Sequence, residues 1–287
     1  MNSNKILFYI FSLLAISFFS CHHKNENTPY DYSNHTTKIL GHRGYGIKGY
    51  NDTLMDNTLE AIIKAIKTTD GVEVDIQMSK NGTIWLYHDT GIPDKDSNIK
   101  YIPRLTNDEI RSVFSLNHPN VQFNNLQEVF TYFDNHKITK TISLDIKSFY
   151  GEDCFKNTTE LNAYMLIIGE KIIELARKYS LENQILVESD IRYLLDLIKT
   201  KSSIKPFLLG YSDFKKQAET ARKNHYSGVS HFFNDPEINA TSIENAQKSG
   251  IKVQLWTPNS KEELESVLLY QPDFLQTDNI HYFENNL

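Results

Sequence analysis

Glu73 and Asp75 lie two residues apart in an apolar, β-branched run, GVEVDIQM (71–78), and His88 follows thirteen residues after Asp75. In a strand, residues i and i+2 project to the same face, so the two carboxylates are expected side by side. Asn81-Gly82 is a two-residue hairpin signal, because both central positions must tolerate a positive φ. Its centre is equidistant from Asp75 and His88, so the return arm TIWLYHD (83–89) is expected to bring His88 back beside Asp75. Two carboxylates and an imidazole gathered in this way suit a hydrolytic site built on a hard cation. The alternative is an exposed acidic face on an ordinary hairpin.

The elements that would position these groups are legible as alternating patterns. Apolar runs occur at KILGH (38–42), VEVDI (72–76), TISLDI (141–146), QILVES (184–189), PFLLGY (206–211), YSGVSH (226–231), KVQLW (252–256) and DFLQTD (273–278). Helical spacing of apolar residues lies between them, as at Leu59, Ile62, Ile63 and Ile66, and from Leu161 to Tyr179. Asn57 with Glu60, and Asn259 with Glu262, have the form of capping boxes, and Gly250 is placed to close the helix beginning near Thr241. Eight buried strands separated by helices imply parallel pairing with crossovers. Eight βα units in about 250 residues have the size of a TIM (β/α)8 barrel, here with an extra β-hairpin arm after strand 2. A doubly wound open sheet is the alternative. Residues 90–137 read as a decorated loop carrying helices at 106–114 and 126–133 rather than as a second domain.

A barrel of this kind places its reactive groups at the C-terminal ends of the strands. Those ends carry His42, Glu73 with Asp75, Asp145 with Lys147, Glu188, Tyr211, His231, Trp256 and Asp278. Structure alone gives no reason to end nearly every apolar run in a polar or aromatic residue, so the pattern points to an enzyme.

The composition is globular, 40% hydrophobic and 23% charged, and the net charge of −6 offers no attraction to nucleic acid. Lys5 followed by an apolar run from Ile6 to Phe19 reads as the first part of a signal peptide, residues 1–20, too short for a bilayer span. Phe18-Phe19-Ser20-Cys21 resembles a bacterial lipobox, which would make Cys21 the lipidated N-terminus; the alternative is an uncleaved membrane anchor. Residues 21–37, with His22 and His23, read as a flexible tether, and 38–287 as the barrel. The body is expected outside the cytoplasm, periplasm-facing or at the cell surface, membrane-anchored. Cys154, the second cysteine, reads as a bystander.

Taken in order, His42-Arg43-Gly44, Asp56-Asn57-Thr58, Glu73-x-Asp75 and His88-Asp89 resemble the HRG, ENT, ExD and HD motifs of the glycerophosphodiester phosphodiesterase family. Leu144-Asp145-Ile146-Lys147, Trp256-Thr257-Pro258-Asn259 and Thr277-Asp278 continue the likeness, which spans residues 38 to about 280. There are two departures: Asp56 and Asp145 stand where the family has Glu, or usually has it. Asp remains a hard oxygen ligand with a shorter reach. The loop from Tyr45 to Met55 is longer than usual for the family.

Hydrolysis of a phosphodiester requires charge neutralisation on the phosphoryl oxygens, an activated nucleophile and a protonated leaving alkoxide. Glu73, Asp75 and Asp145 can hold one divalent cation by oxygen, and carboxylates without cysteine favour Ca²⁺ or Mg²⁺ over Zn²⁺. The resemblance implies the same class of ion, and a role for it toward glycerol hydroxyls as well as phosphate. Arg43 offers a planar fork for a phosphate oxygen, or else makes a surface ion pair. Lys147 adds a point charge to the site or serves as a structural partner of Asp145. The resemblance carries the general acid/base role onto His42 and His88. Trp256 is either an apolar wall for substrate or plain barrel packing; Glu188 and His231 are further rim candidates. The expected reaction is cleavage of a glycerophosphodiester, a small-molecule substrate, to glycerol 3-phosphate and an alcohol. The alternatives are a lysophospholipase D- or phosphatidylinositol-phospholipase-like activity, which the polar loops at 45–56 and 90–105 disfavour, and a non-catalytic phosphodiester-binding lipoprotein, which would need no pair of imidazoles.

Overall fold

The computed structural model describes residues 36–51, 53–148 and 154–284. The proposed leader, Cys21, His22 and His23 lie outside the described residues. Eight parallel strands close into a barrel: β1 (Lys38–Gly41), β2 (Gly71–Met78), β6 (Thr141–Ile146), β7 (Ile185–Ser189), β8 (Lys205–Gly210), β9 (Gly228–Phe232), β10 (Lys252–Trp256) and β11 (Phe274–Thr277). Closure comes from β1, which pairs with both β2 and β11. Each strand coincides with one of the eight apolar runs, because parallel strands are covered on both faces and stay apolar along their length. The crossovers run through α1 (Leu59–Ala65), α4 (Thr158–Lys178), α5 (Arg192–Lys201), α6 (Phe214–Lys223), α7 (Ala240–Lys248) and α8 (Lys261–Leu269), and α9 (Ile280–Glu284) follows the last strand.

The hairpin arm, β3 (Ile84–Leu86), pairs antiparallel with β2 in the register Ile76↔Leu86, Gln77↔Trp85 and Met78↔Ile84. This register sets Asp75 against Tyr87, whose backbone N–H donates to the Asp75 carbonyl at 3.0 Å. The loop therefore contains three residues, Lys80-Asn81-Gly82, closed by Ser79 and Thr83, with Gly82 at φ 79°. That is one residue longer than the two-residue turn expected from Asn-Gly, and it takes the Gly-closed three-residue hairpin form. The long connection that follows contains a short hairpin, β4 (Ile92–Pro93) with β5 (Ile99–Lys100), then α2 (Asn107–Asn117) and α3 (Leu126–Asn135). It has an apolar centre of its own, in which Phe123 stacks on Trp85 at 4.9 Å and on Phe114 at 4.2 Å.

The helix starts correct two expectations. The cap of α1 is Thr58, whose hydroxyl accepts from Ala61 N–H, and not Asn57; the box opening α8 is Ser260 with Glu263, one residue on from Asn259 with Glu262. Gly250 adopts φ 86° two residues past α7, as expected.

Inside the barrel, the alternation of each strand stacks three layers. Leu40, Leu186, Phe207 and Phe274 plug the N-terminal end. Above them lies a polar layer centred on Glu188: Ser143 Oγ and Gln276 Nε2 donate to its Oε1 at 2.5 and 2.7 Å, and Ser230 Oγ donates to its Oε2. The third layer, at the C-terminal ends of the strands, is the site.

Candidate active site

The first wall of the site comes from β1 and the turn that follows it. His42 leaves the strand with its N–H on the Thr277 carbonyl, and the chain then reverses through Arg43 at φ 50°, Gly44 at φ 86° and Gly46 at φ 84°. A Cβ at Gly46 would lie 2.3 Å from the Asp278 carbonyl oxygen, so only glycine lets this turn close over the end of β11. His42 Nδ1 lies 2.7 Å from Asp278 Oδ1. Asp278 is 2% exposed and is held in place by Asn259 Nδ2 at 2.7 Å and the Ile47 N–H at 3.2 Å. Burial opposes its ionisation, but the hydrogen bond and charge of His42 hold its carboxyl below the usual carboxylate range. An ionised carboxylate only accepts, so Nδ1 carries the proton. Nε2 is left facing the site, 3.8 Å from Glu73 Oε2.

The second wall is acidic. Glu73 and Asp75 point inward from β2, 2% and 1% exposed, and Asp145 faces Asp75 across the β2–β6 register. One carboxylate oxygen from each of the three lies within 4.8 Å of the others. Asn57, at φ 55°, clamps Asp75 from both sides: its Nδ2 donates to Asp75 Oδ2 at 2.8 Å and its Oδ1 accepts from the Asp75 N–H at 2.9 Å. Lys147 reaches in from β6, its ammonium 2.6 Å from Asp75 Oδ1 and 2.5 Å from Asp145 Oδ2. Arg43 places Nε 3.3 Å from Asp75 Oδ2 and Nη1 3.4 Å from Asp56, while its backbone N–H donates to Glu73 Oε2 at 2.9 Å. Both cations are thus partners of the acids at the site's floor, not surface ion pairs.

Electrostatics divides the acids. Burial alone would raise Asp75, but Lys147 and then Arg43 hold it well below its ordinary value. Burial, then repulsion from Asp75, Glu188 and Asp145, push Glu73 well above its own. Asp145 is raised by burial, against the pull of Lys147. Burial and then Asp145 push Glu188 up to about 7. Two cations do not balance this many acids, and the unbalanced charge falls on Glu73. The donor set is all oxygen, from three carboxylates. A hard divalent cation fits both the donors and the charge deficit.

His88 follows the hairpin arm and lines the same cavity, of about 220 Å³, as His42, Arg43, Glu73, Asp75, Asp145, Lys147 and Trp256. Its Nδ1 lies 2.8 Å from Asp89 Oδ1, a carboxylate 72% exposed. Both imidazoles therefore keep Nδ1 on a carboxylate, one buried and one in solvent. Trp256 serves the cavity and the packing together: it meets Tyr211 edge-on at 5.2 Å and Phe232 at 5.3 Å.

The model of the glycerophosphoryl diester phosphodiesterase family matches residues 42–282, the stretch that supplies every one of these side chains. The chain belongs to this family. It is a phosphodiesterase. Relatives extend over nearly its whole barrel. A glycerophosphodiester phosphodiesterase of Caldanaerobacter subterraneus subsp. tengcongensis is 25% identical over 251 residues, covering 84% of this chain and 94% of the relative. The crystal structure of a glycerophosphodiester phosphodiesterase from Thermotoga maritima superposes with a TM-score of 0.65 at 22% identity, over 87% of this chain and 97% of that one. An Oleispira antarctica phosphodiesterase, solved in complex with the product sn-glycerol-3-phosphate, gives a TM-score of 0.69 at 15% identity, over 89% and 98%. The structural likenesses show that the phosphodiesterase shares their fold.

Of the residues singled out in the sequence, His42, Arg43, Glu73, Asp75, His88, Asp145, Lys147, Glu188 and Trp256 line one cavity of the phosphodiesterase. His231 does not. Its position in β9 turns it outward toward α6, where its ring nitrogens meet Gln217 Oε1 and Asp235 Oδ2. The groups that orient the site, Asn57, Asp278 and Asn259, were visible in the sequence as members of motifs, a cap and a strand end, with no sign of the partners they hold.

Proposed function

We propose that this phosphodiesterase hydrolyses glycerophosphodiesters to glycerol 3-phosphate and an alcohol, with one divalent cation and with His42 and His88 as the acid/base pair. The observation that carries the reading is the cluster of Glu73, Asp75 and Asp145 oxygens within 4.8 Å of one another, in a cavity that also holds two imidazoles with Nδ1 tied to carboxylates. A Ca²⁺ or Mg²⁺ ion bound by these three acids would neutralise charge on the phosphoryl oxygens and engage glycerol hydroxyls. Arg43 turns its remaining N–H groups to a phosphate oxygen. Lys147 is paired with Asp75 and Asp145, two of the acids that would hold the ion, and its flexible stem lets the ammonium reach toward the phosphate. With Nδ1 of each imidazole fixed, Nε2 is the nitrogen that exchanges protons with the reacting groups. One histidine takes a proton from the attacking hydroxyl and the other gives one to the leaving alkoxide. Asp278 stabilises the imidazolium of His42 by its buried charge. A protein that only captured phosphodiesters would need neither imidazole.

The test is release of glycerol 3-phosphate from glycerophosphocholine by the intact protein and by His42→Ala, with and without EDTA. Activity that survives both chelation and the substitution removes the mechanism. We further propose that the phosphodiesterase is exported and anchored through a lipid on Cys21, which rests on the sequence pattern at 1–21. Fatty-acid labelling that is absent from the intact protein, or is unaffected by Cys21→Ser, excludes it.

A further inference from the structure

The turn that carries His42 and Arg43 has little conformational preference of its own. Gly44 and Gly46 flank Tyr45, and both adopt a positive φ, 86° and 84°. Glycine reaches many backbone states at similar energy, so such a turn holds one shape only where its surroundings impose it. Its inner side is fixed by Asp278, whose Oδ1 meets both His42 Nδ1 at 2.7 Å and the Ile47 N–H at 3.2 Å. A shift of the turn therefore moves the imidazole relative to its carboxylate. The outer side is fixed by Tyr45, which is 2% exposed and does not line the cavity. Its phenol donates to Glu284 Oε1 at 2.6 Å, and His281 Nδ1 lies 2.8 Å from the other oxygen of that carboxylate. The His281 ring meets Tyr45 edge-on at 5.4 Å, and Lys64 of α1 lies over the Tyr45 ring at 5.3 Å. Burial and then the Glu284 hydrogen bond raise the phenol above its ordinary value, so it keeps its proton. Burial opposes the charge on Glu284, but the hydrogen bonds of Tyr45 and His281 hold its carboxyl below the usual range. The contact is a charge-assisted hydrogen bond. Because α9 begins two residues after Asp278, one continuous segment holds the turn from both sides.

We propose that the Tyr45–Glu284 hydrogen bond is a latch that positions His42 for catalysis, both partners acting from outside the cavity. The inference rests on the reading of His42 as one of the acid/base pair and deepens it. With the latch closed, the turn is held between Asp278 and α9, and Nε2 of His42 keeps one direction into the cavity. With the phenol oxygen removed, Gly44 and Gly46 let the turn drift from Asp278, and fewer molecules hold an aligned imidazole. Arg43 is tied separately to Glu73, Asp75 and Asp56, so substrate binding depends on the latch far less than turnover does.

The experiment measures kcat and KM for glycerophosphocholine, with Ca²⁺ or Mg²⁺ supplied. It compares the wild type, Tyr45→Phe, Glu284→Ala, Glu284→Gln, Asp278→Asn, and Tyr45→Phe combined with Asp278→Asn. Tyr45→Phe keeps the buried ring and removes one oxygen, so the fold is retained. Tyr45→Phe and Glu284→Ala are expected to lower kcat about tenfold, less than the roughly 10²-fold that a misplacement of about 1 Å can cost, with KM nearly unchanged. Glu284→Gln, which still accepts from the phenol, restores most of the rate. In the Asp278→Asn background Tyr45→Phe costs nothing further, because the alignment that the latch protects is already lost. A merely structural contact would lower Tm and leave kcat at the wild-type value, and that result overturns the latch. So do a change confined to KM, equal losses in Glu284→Gln and Glu284→Ala, and a loss of the same size with and without Asp278. Each of these leaves the hydrolysis reading standing. Wild-type turnover in Asp278→Asn, or no release of glycerol 3-phosphate by the wild type, overturns the underlying reading instead.

Discussion

Replacing Glu188 by glutamine in the metal-free protein isolates the strain that the barrel carries in order to keep an acid beneath its reactive layer. Glu188 is 2% exposed, and burial with Asp145 nearby lifts its carboxyl from an ordinary 4.5 to about 7, despite the hydroxyls of Ser143 and Ser230. A carboxyl raised in the folded state binds its proton more tightly there than in the unfolded chain, so stability is full below 4.5 and drains away as the pH rises to 7. The rise corresponds to about 3 kcal/mol lost between those limits. In a domain of this size that amounts to roughly 6 to 12 °C in Tm. Glutamine keeps the shape and the oxygen that accepts from Ser143 and Gln276, and Ser230 can turn to accept from its amide. In EDTA, the Tm of the wild type should fall from pH 5 to pH 8 by that much more than the Tm of Glu188→Gln. The remaining fall in the variant belongs to Glu73 and Asp145, raised in the same direction. Asp75 and Asp278, both lowered, lose their stabilisation only on the acid side of this window. Melting profiles that run parallel from pH 5 to pH 8 would refute the assignment of the strain to Glu188.

The remaining expectations follow from the same geometry. Asp278→Asn keeps the outline of the group on His42 Nδ1 but removes its charge and favours the other tautomer; kcat should drop by about 10² to 10⁴ with KM little altered, and a wild-type kcat would contradict the role. Asn57→Ala strips both hydrogen bonds from buried Asp75 and leaves alanine at φ 55°, so urea unfolding should show a loss of about 3 kcal/mol. Millimolar Ca²⁺ or Mg²⁺ should raise the Tm of the wild type, and Asp145→Asn should blunt the rise; equal shifts in both proteins would place the ion elsewhere.

The barrel was legible in the sequence because strands buried on both faces must be apolar throughout, and turns and helices interrupt them at regular intervals. The reactive layer was legible because strand ends facing the axis carry charge with no structural need for it. Four features escaped, each for a physical reason. Asn81-Gly82 suits a two-residue turn and a three-residue loop alike, since both require the positive φ that Gly82 adopts, so the register of His88 could shift by one residue unseen. Asn57 mimics a helix cap because its neighbour Thr58 is one; only the fold brings Asp75 within reach of its amide. His231 lies one residue out of phase with the inward set of β9, and a period of two sends it to the helix side. The pairing of His42 with Asp278 joins residues too distant along the chain for any local pattern to connect.

That pairing has a consequence for when the enzyme becomes competent. One imidazole is supplied by the first stave of the cylinder, and the carboxylate that fixes its tautomer by the last, 236 positions later. A chain whose last strand has not yet docked possesses the acids, the arginine and the second imidazole, yet lacks the carboxylate that orients the first. Cleavage therefore waits for the seam to zip shut.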